Sequence, residues 1–250
     1  MDAAAVRRLL ERVRAGELSV EEAERHLKAS PAYAEFEFAT VDHHRSLRQG
    51  HPEIVFAPGK KPDQAAQIAK EIHARAGRVL VTRVEAAHVR ALCSALPDAV
   101  HHETARAVAI LPECEPTGIA IVSAGTADQH AAEEARVTCR YVGHEPEMIT
   151  DVGVAGVHRL LRHSDALQRA RVVIAVAGME GALASVVGGL VGVPVIAVPT
   201  SVGYGTGAGG LAAVLSMLNS CAANVTCVNI DNGVGAAIVA GLIAGGKGDQ

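Results

Sequence analysis

Aromatic side chains are scarce in this 250-residue chain, which has no tryptophan and only three tyrosines and three phenylalanines. A surface that holds nucleic acid by stacking bases on aromatic rings is therefore excluded. Basic residues are not in excess either, because 27 acidic and 23 basic side chains give a formal net charge of −4. That balance does not fit a strongly basic nucleic-acid binder, so we expect no nucleic-acid partner.

Long uninterrupted hydrophobic runs are also absent. Hydrophobic residues make up 49% of the chain, which is enough to bury a sizeable core. Glycine and proline interrupt each apolar run before it reaches the ~18 residues that span a bilayer. Residues 1–8 contain no apolar signal core. We therefore expect a soluble, cytoplasmic protein with no membrane partner.

Cysteine occurs in an odd number and without the spacing of a metal site or a disulfide framework. None of the cysteines forms a CxxC pair, and most such residues act as small buried hydrophobes. The five positions are Cys93, Cys114, Cys139, Cys221 and Cys227.

The second half of the chain alternates short apolar segments with helical patterns. Strands that are apolar throughout are typical of a parallel sheet buried on both faces. We therefore predict an α/β fold, with a parallel three-layer αβα sheet of the flavodoxin or Rossmann type in residues 117–250. Predicted strands cover residues 119–122, 148–152, 172–176, 193–198 and 225–230. Predicted helices cover 129–141, 182–190, 211–218 and a last segment from Ala236, and residues 157–167 are predicted to form one or two helices.

The first half, residues 1–113, is predicted to be a smaller α/β domain with a helical headpiece. Ser19 and Glu22 have the spacing of a capping box that opens a helix over 20–29. The segment Pro112–Gly118, with two prolines and a glycine, is the candidate linker. Further predictions are helices over 2–16, 63–76 and 86–96, a polar segment of mixed character over 36–53, and strands over 53–57, 79–84 and 107–111.

Glycine is concentrated between the strand that ends at Val198 and the helix that begins at Leu211, in the run Pro199–Gly210. Because glycine costs backbone entropy, such a run is expected to have a use. A glycine loop before a helix lets backbone N–H groups approach an anion. We therefore expect an anion-binding floor here, with a candidate nucleophile, Cys221, after the helix.

Polar and glycine-containing motifs follow three other predicted strands, at Ser123–Asp128, Gly153–Arg159 and Ala177–Gly181. In a parallel sheet, ligands bind beyond the carboxyl ends of the strands, so these motifs converge on one edge. Neither GxGxxG nor the Walker pattern occurs, which argues against a standard dinucleotide or P-loop site.

Each of these motifs also has an interpretation without a ligand. Ser123 and Thr126 could contact phosphate, or Thr126 and Asp128 could merely cap the next helix. His158 and Arg159 are either a proton-transfer group and an anion clamp, or an exposed pair at a helix start. The histidine pairs at 43–44 and 101–102 have no carboxylate at the spacing expected of metal ligands, and they are interpreted as surface residues.

Glu180 and Cys221 are the candidate reactive groups. Glu180 could act as a general base whose proton affinity an apolar pocket would increase, or it could be a favourable negative charge at a helix N-terminus. A nucleophilic cysteine must be ionised, and no cationic residue lies near Cys221 in the sequence. Its activation would have to come from another element.

Together these motifs resemble the LarB family, the pyridinium biscarboxylate mononucleotide synthases of nickel-pincer cofactor assembly. The C-terminal half is also similar, more distantly, to the aminoimidazole ribonucleotide carboxylase/mutase (PurE) family, whose purine-pathway members usually lack the N-terminal half and the cysteine. The resemblance to the LarB family covers nearly the whole chain and rests on 41–45, 48–50, 52–56, 59–60, 122–128, 151–159, 177–181, 193–210, 218–221 and 228–233.

The resemblance implies carboxylation of nicotinic acid adenine dinucleotide at C5 of its pyridinium ring, with carbon dioxide or bicarbonate as co-substrate. It further implies hydrolysis of the phosphoanhydride with a divalent metal such as Mg²⁺. The products are AMP and pyridinium-3,5-biscarboxylic acid mononucleotide, the first intermediate of the cofactor that activates lactate racemase. A homo-octamer with a PurE-like C-terminal domain is implied as well.

The resemblance gives catalytic roles to Cys221, Glu180, His158 and Asp128. The Cys221 thiolate would add at C4 and make C5 nucleophilic, and Glu180 would remove the C5 proton. Metal ligands are left unassigned. The expected substrate-binding residues are Ser123, Gly125, Thr126, Arg159, Gly178, Ser201, Gly203, Tyr204 and Gly205.

Two other functions and several subsidiary roles stay open. The chain could carboxylate aminoimidazole ribonucleotide, although Cys221 and the N-terminal half argue against this, or it could bind nucleotides without catalysis. Lys60 or Arg48 could contact phosphate, or the N-terminal half could serve as scaffold. Asp231 and Asn232 are expected to form a structural turn or to give polar support.

Overall fold

The computed structural model of the protein describes residues 3–29 and 31–245. The chain divides into two compact units, Met1–His101 with Ala107–Pro112 and His102–Arg106 with Glu113–Gln250. No helix among the described residues combines the length and the hydrophobicity needed to cross a membrane.

The first unit contains a two-stranded hairpin and a four-stranded mixed sheet in the order β3-β4-β6-β5. β3 and β4 are parallel, and β4 and β6 are antiparallel. The helices are α1 (Ala3–Arg14), α2 (Val20–Lys28), α3 (Arg45–Gln49), α4 (Pro62–Ala76) and α5 (Ala86–Ala95), and the strands are β1 (Tyr33–Phe36), β2 (Ala39–Asp42), β3 (Val55–Phe56), β4 (Val79–Thr82), β5 (Val100–His102) and β6 (Ala107–Ile110).

Local sequence signals fix the ends of two helices in this unit. The Glu22 amide donates to Ser19 Oγ at 3.1 Å and the Ser19 amide donates to Glu22 Oε2 at 2.9 Å, which confirms the predicted capping box. Helix α4 ends at Gly77, whose φ of 67° is accessible to glycine at little cost, as predicted.

The segment between residues 33 and 53 differs from its prediction. It forms the β1–β2 hairpin and α3, whereas the sequence predicts only a polar segment of mixed character over 36–53. His43, interpreted from the sequence as a surface residue, is buried, and its Nε2 lies 3.0 Å from Glu71 Oε1. Burial in this unit lowers the pKa of His43, and the nearby Arg75 adds to that effect.

The second unit is built on a five-stranded sheet in the order β11-β10-β9-β7-β8, with every neighbouring pair parallel. Numbered along this unit alone, that order is 2-1-3-4-5, the flavodoxin-like arrangement. The strands are β7 (Glu115–Ser123), β8 (His144–Ile149), β9 (Val172–Ala177), β10 (Val195–Pro199) and β11 (Val225–Cys227), and the helices are α6 (Gln129–Tyr141), α7 (Val157–Leu161), α8 (Ser164–Arg169), α9 (Ala182–Leu190), α10 (Leu211–Leu218) and α11 (Gly233–Ala244).

Two hydrophobic layers cover the two faces of this sheet. In β9, Val172, Ile174 and Val176 pack with residues of α6 and α11, whereas the alternate residues pack with α7, α8, α9 and α10. All six residues of β9 are buried. Successive side chains of a strand point to opposite faces, so an all-apolar strand needs helices on both sides. The predicted three-layer αβα fold is confirmed.

Several predicted boundaries require correction. β7 begins at Glu115 and takes in most of the segment predicted as a linker. β8 ends at Ile149, three residues before the predicted end, and β11 stops at Cys227. Helix α11 begins at Gly233, ahead of the predicted start, because the Asn232 side chain accepts a hydrogen bond from the Gly235 amide at 2.8 Å and caps it.

Candidate functional site

A pocket of about 370 Å³ opens at the carboxyl ends of β7, β8 and β9. β7 pairs with β8 on one side and β9 on the other, so the pocket lies where the strand order reverses, the usual ligand position of such sheets. A polar cavity of about 80 Å³ in the first unit is too small for a nucleotide. The walls of the larger pocket come from residues 124–128, from Asp151, residues 153–155 and Arg159, and from residues 177–180, 182–183 and Val202.

The first loop, after β7, is held by Asp128. This carboxylate is 4% exposed, and it accepts the Gly125 amide at 2.9 Å and the Thr200 hydroxyl at 2.6 Å. Each oxygen thus has a protein donor, which favours the capping interpretation for Asp128, although the residue also lines the pocket with Gly125 and Thr126. Thr126 is exposed and has room to contact a ligand.

The second loop, after β8, is pinned to the first by its backbone. The Val152 amide donates to the Ser123 carbonyl at 3.0 Å, and the Gly153 amide donates to the Ala124 carbonyl at 2.8 Å. A Cβ on Gly153 would lie 2.8 Å from the Ala124 oxygen, so only glycine fits there. The Ser123 side chain does not line the pocket; its hydroxyl is buried and has no hydrogen-bond partner within the described chain.

Arg159 is a positively charged residue that lines the pocket. Its Nη1 donates to Asp151 Oδ2 at 2.6 Å, and Asp151 itself adopts a left-handed conformation with φ 57°. Both residues line the pocket, whereas His158, predicted as catalytic, is exposed and is not among its lining residues. Because a guanidinium has five N–H donors, Arg159 keeps donors for an anion while Asp151 orients it.

The third loop, after β9, carries Glu180 on a tight turn. The preceding Met179 has φ 52°, and its amide donates to the Val202 carbonyl at 2.8 Å. Glu180 and Gly178 both line the pocket, and Glu180 is exposed to it. The turn therefore holds the Glu180 carboxylate beyond the carboxyl end of β9, just before α9 begins.

Gly178 has no space for a side chain, and Gly178→Ala is expected to destabilise the protein by about 1–3 kcal/mol through overpacking. An added Cβ would overlap the Val202 carbonyl oxygen and lie 2.7 Å from Thr200 Oγ1. Chemical denaturation would measure the change. Gly189→Ala is the control, because a Cβ on that exposed helical glycine meets nothing within 4 Å and should stabilise α9 slightly. Equal stabilities of the two variants would contradict this packing argument.

The glycine-rich segment, Pro199–Gly210, lies beside the pocket and contributes one residue, Val202, to its wall. The predicted binding residues Ser201, Gly203, Tyr204 and Gly205 are not lining residues, and Tyr204 is largely exposed. Gly210, with φ 82°, packs so tightly on Thr200 that a Cβ would lie 2.6 Å from its carbonyl oxygen. The glycines here serve close backbone packing as well as turning.

Cys221 lies after α10 and before β11 begins, not at the carboxyl ends of the strands. An eight-residue helix is ~12 Å long, so α10 separates this cysteine from the glycine-rich segment. The neighbouring Ser220 hydroxyl bonds to the Ser185 hydroxyl of α9 at 2.8 Å. Cys221 is exposed, whereas the other four cysteines are buried or half-buried. Within one chain, the thiol is not part of the pocket wall.

One chain thus brings together part of the predicted site. Glu180 and Arg159 join the predicted first-loop residues around one pocket, whereas Cys221 and His158 lie outside it. Sequence reasoning missed Asp151, Thr200 and Val202 as contributors. Asp151 lies in the segment 151–159 that contains His158 and Arg159, so the sequence could have indicated it. Thr200 and Val202 have no sequence signal beyond their place in the glycine-rich run Pro199–Gly210.

Metal-ligating side chains do not cluster in the described part of the chain. No three His, Cys, Asp or Glu residues there come together as a metal site. The described residues therefore do not form a protein cage for a resident divalent ion.

Residues 33–112 match the LarB/PurE-like N-terminal domain, and residues 118–250 match the AIR carboxylase domain. The chain belongs to the LarB family. An uncharacterized protein of Methanocaldococcus jannaschii is 36% identical over 250 residues, which cover 96% of each chain. The LarB family is related to carboxylases through its PurE-like C-terminal domain, and the whole pocket of this chain is formed by that domain.

Proposed function

We propose that the protein carboxylates the pyridinium ring of nicotinic acid adenine dinucleotide at C5 and hydrolyses its phosphoanhydride. The observation that carries the proposal is the placement of Glu180 and Arg159 around one pocket at the switch point of a carboxylase-type sheet, in a LarB-family chain. The expected products are AMP and pyridinium-3,5-biscarboxylic acid mononucleotide.

The pocket suits the nicotinate mononucleotide half of this substrate. Its volume of about 370 Å³ lies in the range of small-ligand sites. Arg159 offers N–H donors to a carboxylate or phosphate. Much of the wall is apolar, with side chains such as Ala155, Ala177 and Leu183, and it would exclude water from a bound carbon dioxide.

Covalent catalysis explains how an electron-poor ring can be carboxylated. A pyridinium ion does not attack carbon dioxide, but addition of the Cys221 thiolate at C4 gives a dihydropyridine whose C5 is nucleophilic. The C5 carbon then forms the new bond to carbon dioxide. Glu180 accepts the C5 proton, and the thiolate leaves C4 with its bonding electrons, which restores the aromatic ring. Each step is balanced without an oxidant or reductant.

Hydrolysis of the phosphoanhydride completes the reaction by adding water across the P–O–P bond. The described residues form no metal cage of their own, so we assign no step to a resident ion. A divalent cation such as Mg²⁺ remains a requirement that the family resemblance implies, and it would be carried by the substrate phosphates.

Assembly is proposed to bring Cys221 to a pocket, since one chain leaves them apart. Leu211, Leu215 and Leu218 are exposed on one face of α10, directly before Cys221. A stripe of leucines at helical spacing is typical of a contact surface, here with a second copy of the chain. The exposed thiol at its end would then be buried against a neighbouring copy.

We expect light scattering to give eight times the chain mass, in agreement with the implied homo-octamer. Leu215→Glu places a charge in the apolar face and should lower the mass, because a desolvated unpaired carboxylate opposes association. Leu242→Glu is the control, a similarly exposed leucine on α11. A monomeric wild-type protein at all concentrations would reject this assembly.

An alternative function is carboxylation of aminoimidazole ribonucleotide. The AIR carboxylase match over residues 118–250 and the formation of the pocket by that domain alone favour it. Such a reaction needs no thiolate, because an aminoimidazole ring is already electron-rich. Nucleotide binding without turnover is the remaining alternative.

The deciding experiment is mass spectrometry of the products. The protein is incubated with nicotinic acid adenine dinucleotide, bicarbonate and Mg²⁺. A mononucleotide with one added carboxylate, together with AMP, is the expected result. Failure to add a carboxylate under these conditions would reject the proposal, and turnover of aminoimidazole ribonucleotide would then support the alternative.

A further inference from the structure

His130, in the first turn of α6, lies between two hydrogen-bond acceptors. Its Nδ1 is 3.1 Å from the Ala127 carbonyl, and its Nε2 is 3.2 Å from Asp231 Oδ1. The imidazole thus connects the first pocket loop to the turn that follows β11. Neither His130 nor Asp231 lines the pocket.

Asp231 extends this connection to the glycine-rich segment. Its carboxylate accepts the Ser201 amide at 2.8 Å, and its own amide donates to the Pro199 carbonyl at 2.8 Å. Burial opposes ionisation of Asp231, but hydrogen bonds from Ser201 and His130 outweigh it and lower the pKa of the carboxyl group. Asp231 has a left-handed conformation with φ 55°, and these hydrogen bonds hold it there.

The segment held by Asp231 supports the turn that carries Glu180. Val202, directly after Ser201, accepts the Met179 amide at 2.8 Å through its carbonyl, and Gly178 packs against it without room for a Cβ. A shift of Ser201 that also displaces Val202 would therefore move the turn at residues 178–181. On the other side, Thr200 is tied to the buried Asp128 at 2.6 Å.

We propose that His130 and Asp231 are positioning residues that act through Ser201 and Val202 to fix Glu180. The proposal rests on the proposed function, in which Glu180 removes the C5 proton. Cys221 lies outside this series of contacts, on the far side of α10. Loss of the His130 contact should therefore slow the loss of the C5 proton more than the addition of the thiolate.

The first test measures the isotope effect of substrate deuterated at C5 on the rate of product formation. His130→Ala should lower kcat by about 10- to 100-fold, since a 1 Å misplacement can cost 10²-fold, and it should enlarge the isotope effect while KM changes little. His130→Gln, which keeps an N–H donor that can reach Asp231, should restore most of the wild-type rate. His163→Ala, at an exposed histidine before α8, should behave as the wild type.

The second test needs no turnover and measures hydrogen exchange of backbone amides. His130→Ala should accelerate exchange at Ser201 and Met179 and leave the amides of β9 unchanged. Unchanged exchange at both residues would overturn the inference, as would a lower kcat with an unaltered isotope effect. Wild-type protein that makes no carboxylated product would instead reject the proposed function, and the exchange data would still decide whether His130 holds the turn.

Discussion

Cys221→Ala is expected to lose formation of the carboxylated mononucleotide by at least about 1000-fold, because without a thiolate at C4 the ring has no nucleophilic C5. The fold should be unaffected, since the side chain is exposed and the described structure gives it no packing role. Product mass spectrometry, with AMP followed in parallel, measures the loss. Intact-protein mass spectrometry should detect a cysteinyl adduct in the wild type only.

Cys227→Ala is the matched control for this experiment. Burial raises the pKa of the Cys227 thiol, which makes it a poorer candidate for the nucleophile than an exposed cysteine. The same holds for Cys139, where burial raises the pKa to about 12. Wild-type carboxylation by Cys221→Ala would contradict the covalent step and direct attention to electron-rich substrates such as aminoimidazole ribonucleotide.

Glu180→Gln is expected to lower product formation by about 10²–10⁴-fold, the usual contribution of a positioned general base. The amide has nearly the same shape but cannot accept a proton, so the ring can be carboxylated but cannot lose its C5 hydrogen. The variant should therefore accumulate a cysteinyl adduct that carries the new carboxylate. Quenched-flow sampling followed by intact-protein mass spectrometry would measure its amount.

Glu115→Gln, at an exposed carboxylate on the opposite end of β7, should retain wild-type activity. Glu180→Asp, which keeps a base on a shorter side chain, should give an intermediate rate. If Glu180→Gln turned over as fast as the wild type, another group would have to remove the C5 proton, and Glu180 would remain only a favourable charge at the start of α9.

Periodicity predicts the helices that pack an apolar face against the parallel sheet. Helices α6, α9 and α10 have the bounds that their patterns predict, because each contributes buried apolar residues to a core beside the sheet. The all-apolar runs around β9 and β10 likewise predicted a buried parallel sheet. The hairpin β1–β2 and strand β5 were missed, since most of their residues are partly or fully exposed and their patterns mix polar with apolar residues.

The sequence predicts those parts of the candidate site that lie at the carboxyl ends of the parallel strands. Motifs after β7, β8 and β9 converge because parallel strands end together, and that much follows from the order of elements. Pairings between distant residues, such as Thr200 with Asp128 or His130 with Asp231, depend on tertiary geometry and leave no local pattern. The separation of Cys221 from the pocket likewise depends on the direction of α10, which the sequence does not show.

Three of the turns that follow strands of the parallel sheet contain a left-handed residue other than glycine, namely Asp151, Met179 and Asp231. For L-amino acids this conformation costs up to about 1–2 kcal/mol, and least for aspartate. Glycine would remove that cost at Met179, so selection for heat resistance alone would favour it. The same change would free the backbone beside Glu180. Under the proposed function, a Met179→Gly variant is therefore expected to gain stability but to hold Glu180 less well, so that stability and activity trade against each other at this residue.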